Sequence, residues 1–148
     1  MSYGRLALAA AVATLADGIY GFVVYGNIIS GEFARYPAIY RSTETQTAYL
    51  PVMFLGLFFA MLVATYLYAK GYEGGSGVQE GMRFGVLIGL LTVGYVAGVN
   101  YAIMNIDRRM AAYYALAGLV EWTVVGTTIG FVYYPAVPRA AKGRATGV

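Results

Sequence analysis

Apolar residues in this chain gather into four long blocks rather than the short alternating runs of a half-exposed strand or surface helix. The blocks run from Leu6 to Ile29, Leu50 to Ala69, Met82 to Met104 and Met110 to Tyr134. Each supplies the roughly 20 residues that an α-helix needs to cross about 30 Å of hydrocarbon. Strands of an outer-membrane barrel would alternate apolar and polar residues over about 10 positions, whereas these blocks are apolar on all sides. The pattern predicts an all-α, polytopic membrane protein: a bundle of four transmembrane helices over residues 1–138, followed by a flexible basic tail at 139–148. Arg5 ahead of an alanine-rich run looks like the start of a secretory signal. The block is too long for one and contains Asp17, so a retained helix is expected.

Of the 148 residues, 59% are hydrophobic and 11% are charged, against roughly a quarter charged in soluble domains. Membrane lipids are therefore the first expected partners, and bound lipid is expected on the surface. The chain has no Cys and no His. Disulfides, thiol chemistry, Cys/His zinc sites and His-ligated haem or chlorophyll lose their ligands, and no cofactor or metal is expected. A pigment held by a carbonyl, Asn or water is the option that remains. The net charge of +3 suits contact with anionic headgroups and is too diffuse for nucleic acid, which needs a basic stripe on one face. Four spans put both termini on one side, with Arg5, Lys70, Arg83, Arg139, Lys142 and Arg144; the other side carries Arg35, Arg41, Arg108 and Arg109. That excess predicts cytoplasmic termini.

The longest connection, Ser30 to Tyr49, exceeds a plain helix–helix link. Its Phe33, Tyr36, Ile39 and Tyr40 recur at near-helical spacing, which fits either a short amphipathic helix on the interface or a loop anchored by tyrosines. The stretch Gly71 to Gly77 reads as a flexible linker. It lacks the Gly-Lys-Ser/Thr ending of a phosphate-binding loop, which argues against nucleotide binding. Pro135 and Pro138 are expected to end the fourth helix.

In the third span, Gly81, Gly85 and Gly89 share one face, and Gly94 and Gly98 fall nearly opposite. Small residues at four-residue intervals let backbones approach closely in lipid, so the third helix is expected to be central, with a neighbour on each side. The second span is almost wholly apolar and suits lipid or a partner subunit. Most of the fifteen tyrosines lie near span ends and read as an interfacial belt.

Two carboxylates fall near mid-span, Asp17 and Glu121, where an ionisable group is costly enough to suggest function. Counted from the side of the termini, their depths differ by roughly 3 Å at 1.5 Å per residue. Asp17 shares a helical face with Ala10, Thr14, Gly21 and Tyr25, and Glu121 shares one with Tyr114, Ala117, Gly118, Val125 and Thr128. If the first and fourth helices are neighbours, these small-residue faces bring the acids together. Close carboxylates cannot both ionise cheaply, so the pair should share a proton or bind a cation. The alternative is a structural one, in which each acid stays protonated and bonds to a carbonyl, a tyrosine or Asn100. Asn27, Asn100 and Asn105 lie nearer the outer side, where interhelical hydrogen bonding is ordinary. Asp17, Glu121, Asn100 and Tyr114 are therefore the candidate intramembrane polar or ion-binding residues.

The run Glu80-Gly81-Met82-Arg83-Phe84-Gly85-Val86-Leu87-Ile88-Gly89, following a short polar loop, resembles the third span of small bacterial four-helix membrane proteins of unknown function. That resemblance implies an inner-membrane location and no particular activity. With few places for a catalytic constellation, the leading expectation is a non-enzymatic accessory or structural subunit of a larger membrane complex, or of a homo-oligomer. The second is an oligomeric transporter or channel for protons, cations or a small solute, with the two acids as its site. An enzyme acting on lipid comes third. An accessory protein should offer a broad contact on the second or third helix, a transporter a polar cavity reaching the acids, and an enzyme a lipid-sized groove.

Overall fold

The computed structural model describes residues 2–133; the expected basic tail at 139–148, with Pro135 and Pro138 before it, lies outside the described residues. Helix α1 (Tyr3–Val23) continues through a π-helical stretch, Val24–Ile28, to complete the first span. Two short helices, α2 (Ser30–Phe33) and α3 (Thr43–Thr47), lie in the long connection, so no single amphipathic helix forms there. The second span is α4 (Leu50–Gly71). The third comprises α5 (Gly77–Thr92), a π-helical stretch at Val93–Gly98 and α6 (Val99–Ile103). The fourth is α7 (Arg108–Tyr133). All four spans are long and apolar enough to cross a membrane, and the described residues contain no strand. The protein is an all-α, multi-pass membrane protein.

Local chemistry explains the ends of these helices. Pro51 sits in the first turn of α4, where its missing N–H costs no helical bond. The Asp107 carboxylate accepts from the Met110 N–H at 2.9 Å and caps α7. The glycine-rich linker is more ordered than its composition suggests, because Glu80 folds back over it. Its two carboxylate oxygens accept from the backbone N–H groups of Glu73 and Gly75 at 3.0 and 2.5 Å. Gly74, at φ +88°, supplies the left-handed residue this turn requires.

The spans pack in the order α4, α1, α7, α5, with only a minor touch between α4 and α7. The third span is thus peripheral rather than central: α5 lies along α7 and has no comparable contact with the first or second span. Gly77, Gly81, Gly85 and Gly89 are all buried against α7. A Cβ at Gly81 would stand 2.9 Å from the Gly130 Cα, and one at Gly126 only 2.5 Å from the Gly85 Cα. Backbone meets backbone there, which side chains would prevent. Gly94 and Gly98 do not contribute. A Cβ at Gly94 would meet nothing within 4 Å, and one at Gly98 only the Val93 carbonyl of its own helix.

The core occupies the half of the bundle nearer the termini. Ala9, Ala10 and Ala13 of α1, Met61 and Ala64 of α4, and Val125 and Ile129 of α7 are buried together, closed below by Tyr68 and Tyr133. Alanines on α1 let its neighbours come close on both sides. Toward the outer side, Gly18 of α1 meets the Phe54 ring of α4, and Gly21, Gly26, Phe54 and Leu57 line a cavity between the two spans.

Candidate intramembrane solute and ion site

The packing of α1 on α7 brings the two mid-span acids to the inner end of this cavity. Asp17 is 4% exposed, and its carboxyl lies within hydrogen-bonding reach of that of Glu121. The Tyr25 hydroxyl donates to Glu121 Oε2 at 2.8 Å, and the Tyr20 hydroxyl donates to the Ala117 carbonyl at 2.8 Å, tying the first span to α7 beside the acids. Tyr25 reaches Glu121 from the π-helical stretch. The wider turn leaves the Phe22 carbonyl to accept from the Asn27 side chain at 2.6 Å, so Asn27 serves its own helix rather than a neighbour.

The cavity holds about 650 Å³. One wall is Gly18, Gly21, Phe22 and Tyr25, another is Leu50, Met53, Phe54 and Leu57 of α4, and Thr43, Gln46 and Thr47 of α3 form the roof. A second cavity of about 670 Å³ adjoins it under the 30–46 segment and shares Tyr25, Phe33, Thr43 and Gln46. Aromatic rings line the boundary. Phe33 meets Tyr40 edge-on at 4.9 Å between centroids, and meets Tyr25 and Tyr114 at 6.2 Å each. The hydroxyls of Tyr40 and Tyr114 are hydrogen-bonded to one another.

Of the four candidate residues, Asp17, Glu121 and Tyr114 line this one cavity. Asn100 does not. It is half-buried in α6, and the third span packs on α7 away from the first. The residues that sequence reasoning missed come from the connection: Phe33, Thr43 and Gln46 line the cavity that holds the acids, and Tyr40 lines the one adjoining it. The near-helical spacing of Phe33, Tyr36, Ile39 and Tyr40 signalled an amphipathic segment, but not that Phe33 and Tyr40 would pack against Tyr25 and Tyr114.

Outside the cavity, Arg35 pairs with Glu32 at 2.8 Å and with Asp107 at 3.1 Å, and Arg109 pairs with Glu32 at 2.6 Å. The Tyr36 hydroxyl accepts from the Asp107 N–H at 3.1 Å. These contacts fasten the covering segment to the start of α7. The Asp107 carboxyl is held below its ordinary value, first by the Met110 N–H and further by Tyr36 and Arg35. No group of three His, Cys, Asp or Glu side chains suited to a metal ion occurs among the described residues. No family model, curated protein or solved structure matches the chain.

Proposed function

We propose that this protein is a transporter that moves a small solute across the membrane, exchanging it for a proton held between Asp17 and Glu121. The observation that supports this reading is the cavity reaching both acids from the outer half of the bundle, opposite a half that is close-packed. A carboxyl pair at this depth is costly unless it does something, and a cavity on one side of the pair with a close-packed seal on the other fits one state of an alternating-access cycle. The excess of basic residues beside the termini supports an inner-membrane orientation with cytoplasmic termini, so the cavity would open away from the cytoplasm. The test is solute-driven proton movement. Purified protein in proteoliposomes with an inside-acid gradient and an entrapped pH dye is screened against cations, anions and neutral solutes. At least one solute should dissipate the gradient in the wild type and fail to do so in Asp17→Asn and Glu121→Gln. Absence of any response that depends on these acids sinks the proposal.

A second reading, as an accessory subunit or homo-oligomer, is favoured by the third span, which packs on α7 and leaves Gly94 and Gly98 uncovered within the chain. Mass analysis after gentle detergent extraction tests it: a stoichiometric partner, or a second copy, should remain bound.

A further inference from the structure

The chemistry of the cavity wall limits what the acids can recognise. Asp17 is almost completely buried, points into the cavity, and receives no hydrogen bond from any donor among the described residues other than the proton it can share with Glu121. Two carboxyls this close carry about one negative charge between them at acceptable cost, so an empty pair holding two protons gives up one as a monovalent cation binds, and the other stays shared between the acids. Of the cavity's other polar side chains, Tyr25 donates to Glu121, Tyr114 is bonded to Tyr40 and Thr47 donates to the Thr43 carbonyl, while Thr43 and Gln46 lie in the roof. The remaining wall is largely carbon, including Phe22, Phe33, Phe54 and Leu57.

A bare inorganic ion needs a shell of about six or more oxygens, whereas the side chains lining this cavity include five aromatic rings. A substituted ammonium loses far less on leaving water, and its carbon-bound positive surface is attracted to ring faces. The volume, about 650 Å³, lies within the range of roughly 300–1,000 Å³ of small-molecule pockets and far exceeds the need of a lone ion. The inner cavity is lined by no lysine or arginine. Arg41 lines the outer cavity, where its guanidinium is stacked 3.8 Å over the Tyr49 ring.

We infer that the solute is an amphiphilic organic cation, its ammonium group seated against the Asp17–Glu121 pair and its apolar body against Phe54 and Leu57. This assignment rests on the transport reading above. Gly21 provides an independent handle. A Cβ there has Tyr25 Cδ2 at 4.0 Å as its nearest neighbour, so a side chain at this position starts clear of the backbone of other helices and takes up room meant for the apolar body.

The test challenges the same proteoliposomes with benzyltrimethylammonium, tetramethylammonium, Na⁺ and K⁺. The benzyl compound should dissipate the gradient at a half-saturating concentration roughly tenfold or more below that of tetramethylammonium, the factor that burying an aromatic ring supplies; Na⁺ and K⁺ should have no effect. Gly21→Leu, checked for folding by size-exclusion chromatography, should abolish most of the benzyl preference. A response to Na⁺ or K⁺ alone, or to anions or neutral solutes alone, overturns the organic-cation assignment and leaves transport on the acid pair standing. So do equal responses to the two ammonium compounds, or an unchanged preference in a folded Gly21→Leu. Should that variant not fold, the wild-type ratio decides. No response to any solute, with one phospholipid retained per chain, makes the cavity a lipid seat and overturns both readings.

Discussion

A single isosteric change separates a working acid pair from a structural lock. Asp17→Asn keeps the shape of the side chain and gives it an amide that can donate to Glu121, so the bundle should keep or gain resistance to unfolding in detergent while proton-coupled transport is lost. Retained transport with a weakened bundle would instead make the pair a lock between α1 and α7. Thr65 offers a prediction in the opposite direction. It is fully buried in α4, and its hydroxyl has no hydrogen-bond partner among the described residues. Thr65→Val keeps the shape and removes the orphaned group, so it should stabilise the protein by about 1 kcal/mol or more, read as a higher melting temperature. A lower one would mean that a water or partner satisfies the hydroxyl. Asp17, Glu121 and Tyr114 were legible as candidate site residues, and they line one cavity, because a polar group within an apolar block stands out and helical spacing gives its face. Asn100 stood out for the same reason and lies elsewhere, since depth in the membrane does not reveal which helix is the neighbour. Phe33 and Gln46 were illegible as site residues because their place depends on a connection folding back over the bundle.

Among the helices, the decisive contact is the glycine seam between α5 and α7. Leucine at Gly85 would drive its Cβ to within 3.0 Å of the Thr123 Cα, and overpacking of this kind typically costs about 1–3 kcal/mol. Gly85→Leu should therefore lower the melting temperature clearly, whereas Gly94→Leu should leave the isolated chain almost unchanged. Equal losses from the two substitutions in the native membrane, but not in a purified monomer, would identify the Gly94 face as a contact with another chain. The four spans were legible from block length alone, as was the ability of Gly81, Gly85 and Gly89 to pack closely. Their order in space was not. A glycine series allows a backbone to approach on its face without requiring one, and the second series falls where the third span changes to a π-helical stretch at Val93–Gly98. Gly77, Gly126 and Gly130 complete the seam, and the last two are recognisable only once α7 is known to be the partner of α5.

Across the whole molecule, a tight core at one end and a covered cavity at the other make the covering segment the part most ready to move. Its fastening is electrostatic and largely at the surface: the side chains of Arg35, Asp107 and Arg109 are 48%, 43% and 62% exposed, with Glu32 between the arginines at 13%. Such pairs are weak singly and are screened by salt. Asp107 titrates lower in the folded protein than its ordinary 3.8. Its contribution is therefore fully present above that value and is lost as the pH falls below it through the depressed folded value. The fastening should thus hold from neutral pH down to about 5, and should loosen in strong acid or near 1 M salt, where the screening length falls to about 3 Å. Hydrogen–deuterium exchange read over residues 30–49 checks this. Exchange there should quicken with salt, and Glu32→Gln should reproduce much of that effect at low salt by removing the carboxylate both arginines share, while α1 and α7 exchange as before. If residues 30–49 exchange at the same rate in low salt, high salt and the variant, the apolar contacts of Phe33 and Tyr40 hold the cover by themselves, and access to the acids is set by the aromatic boundary rather than by charge.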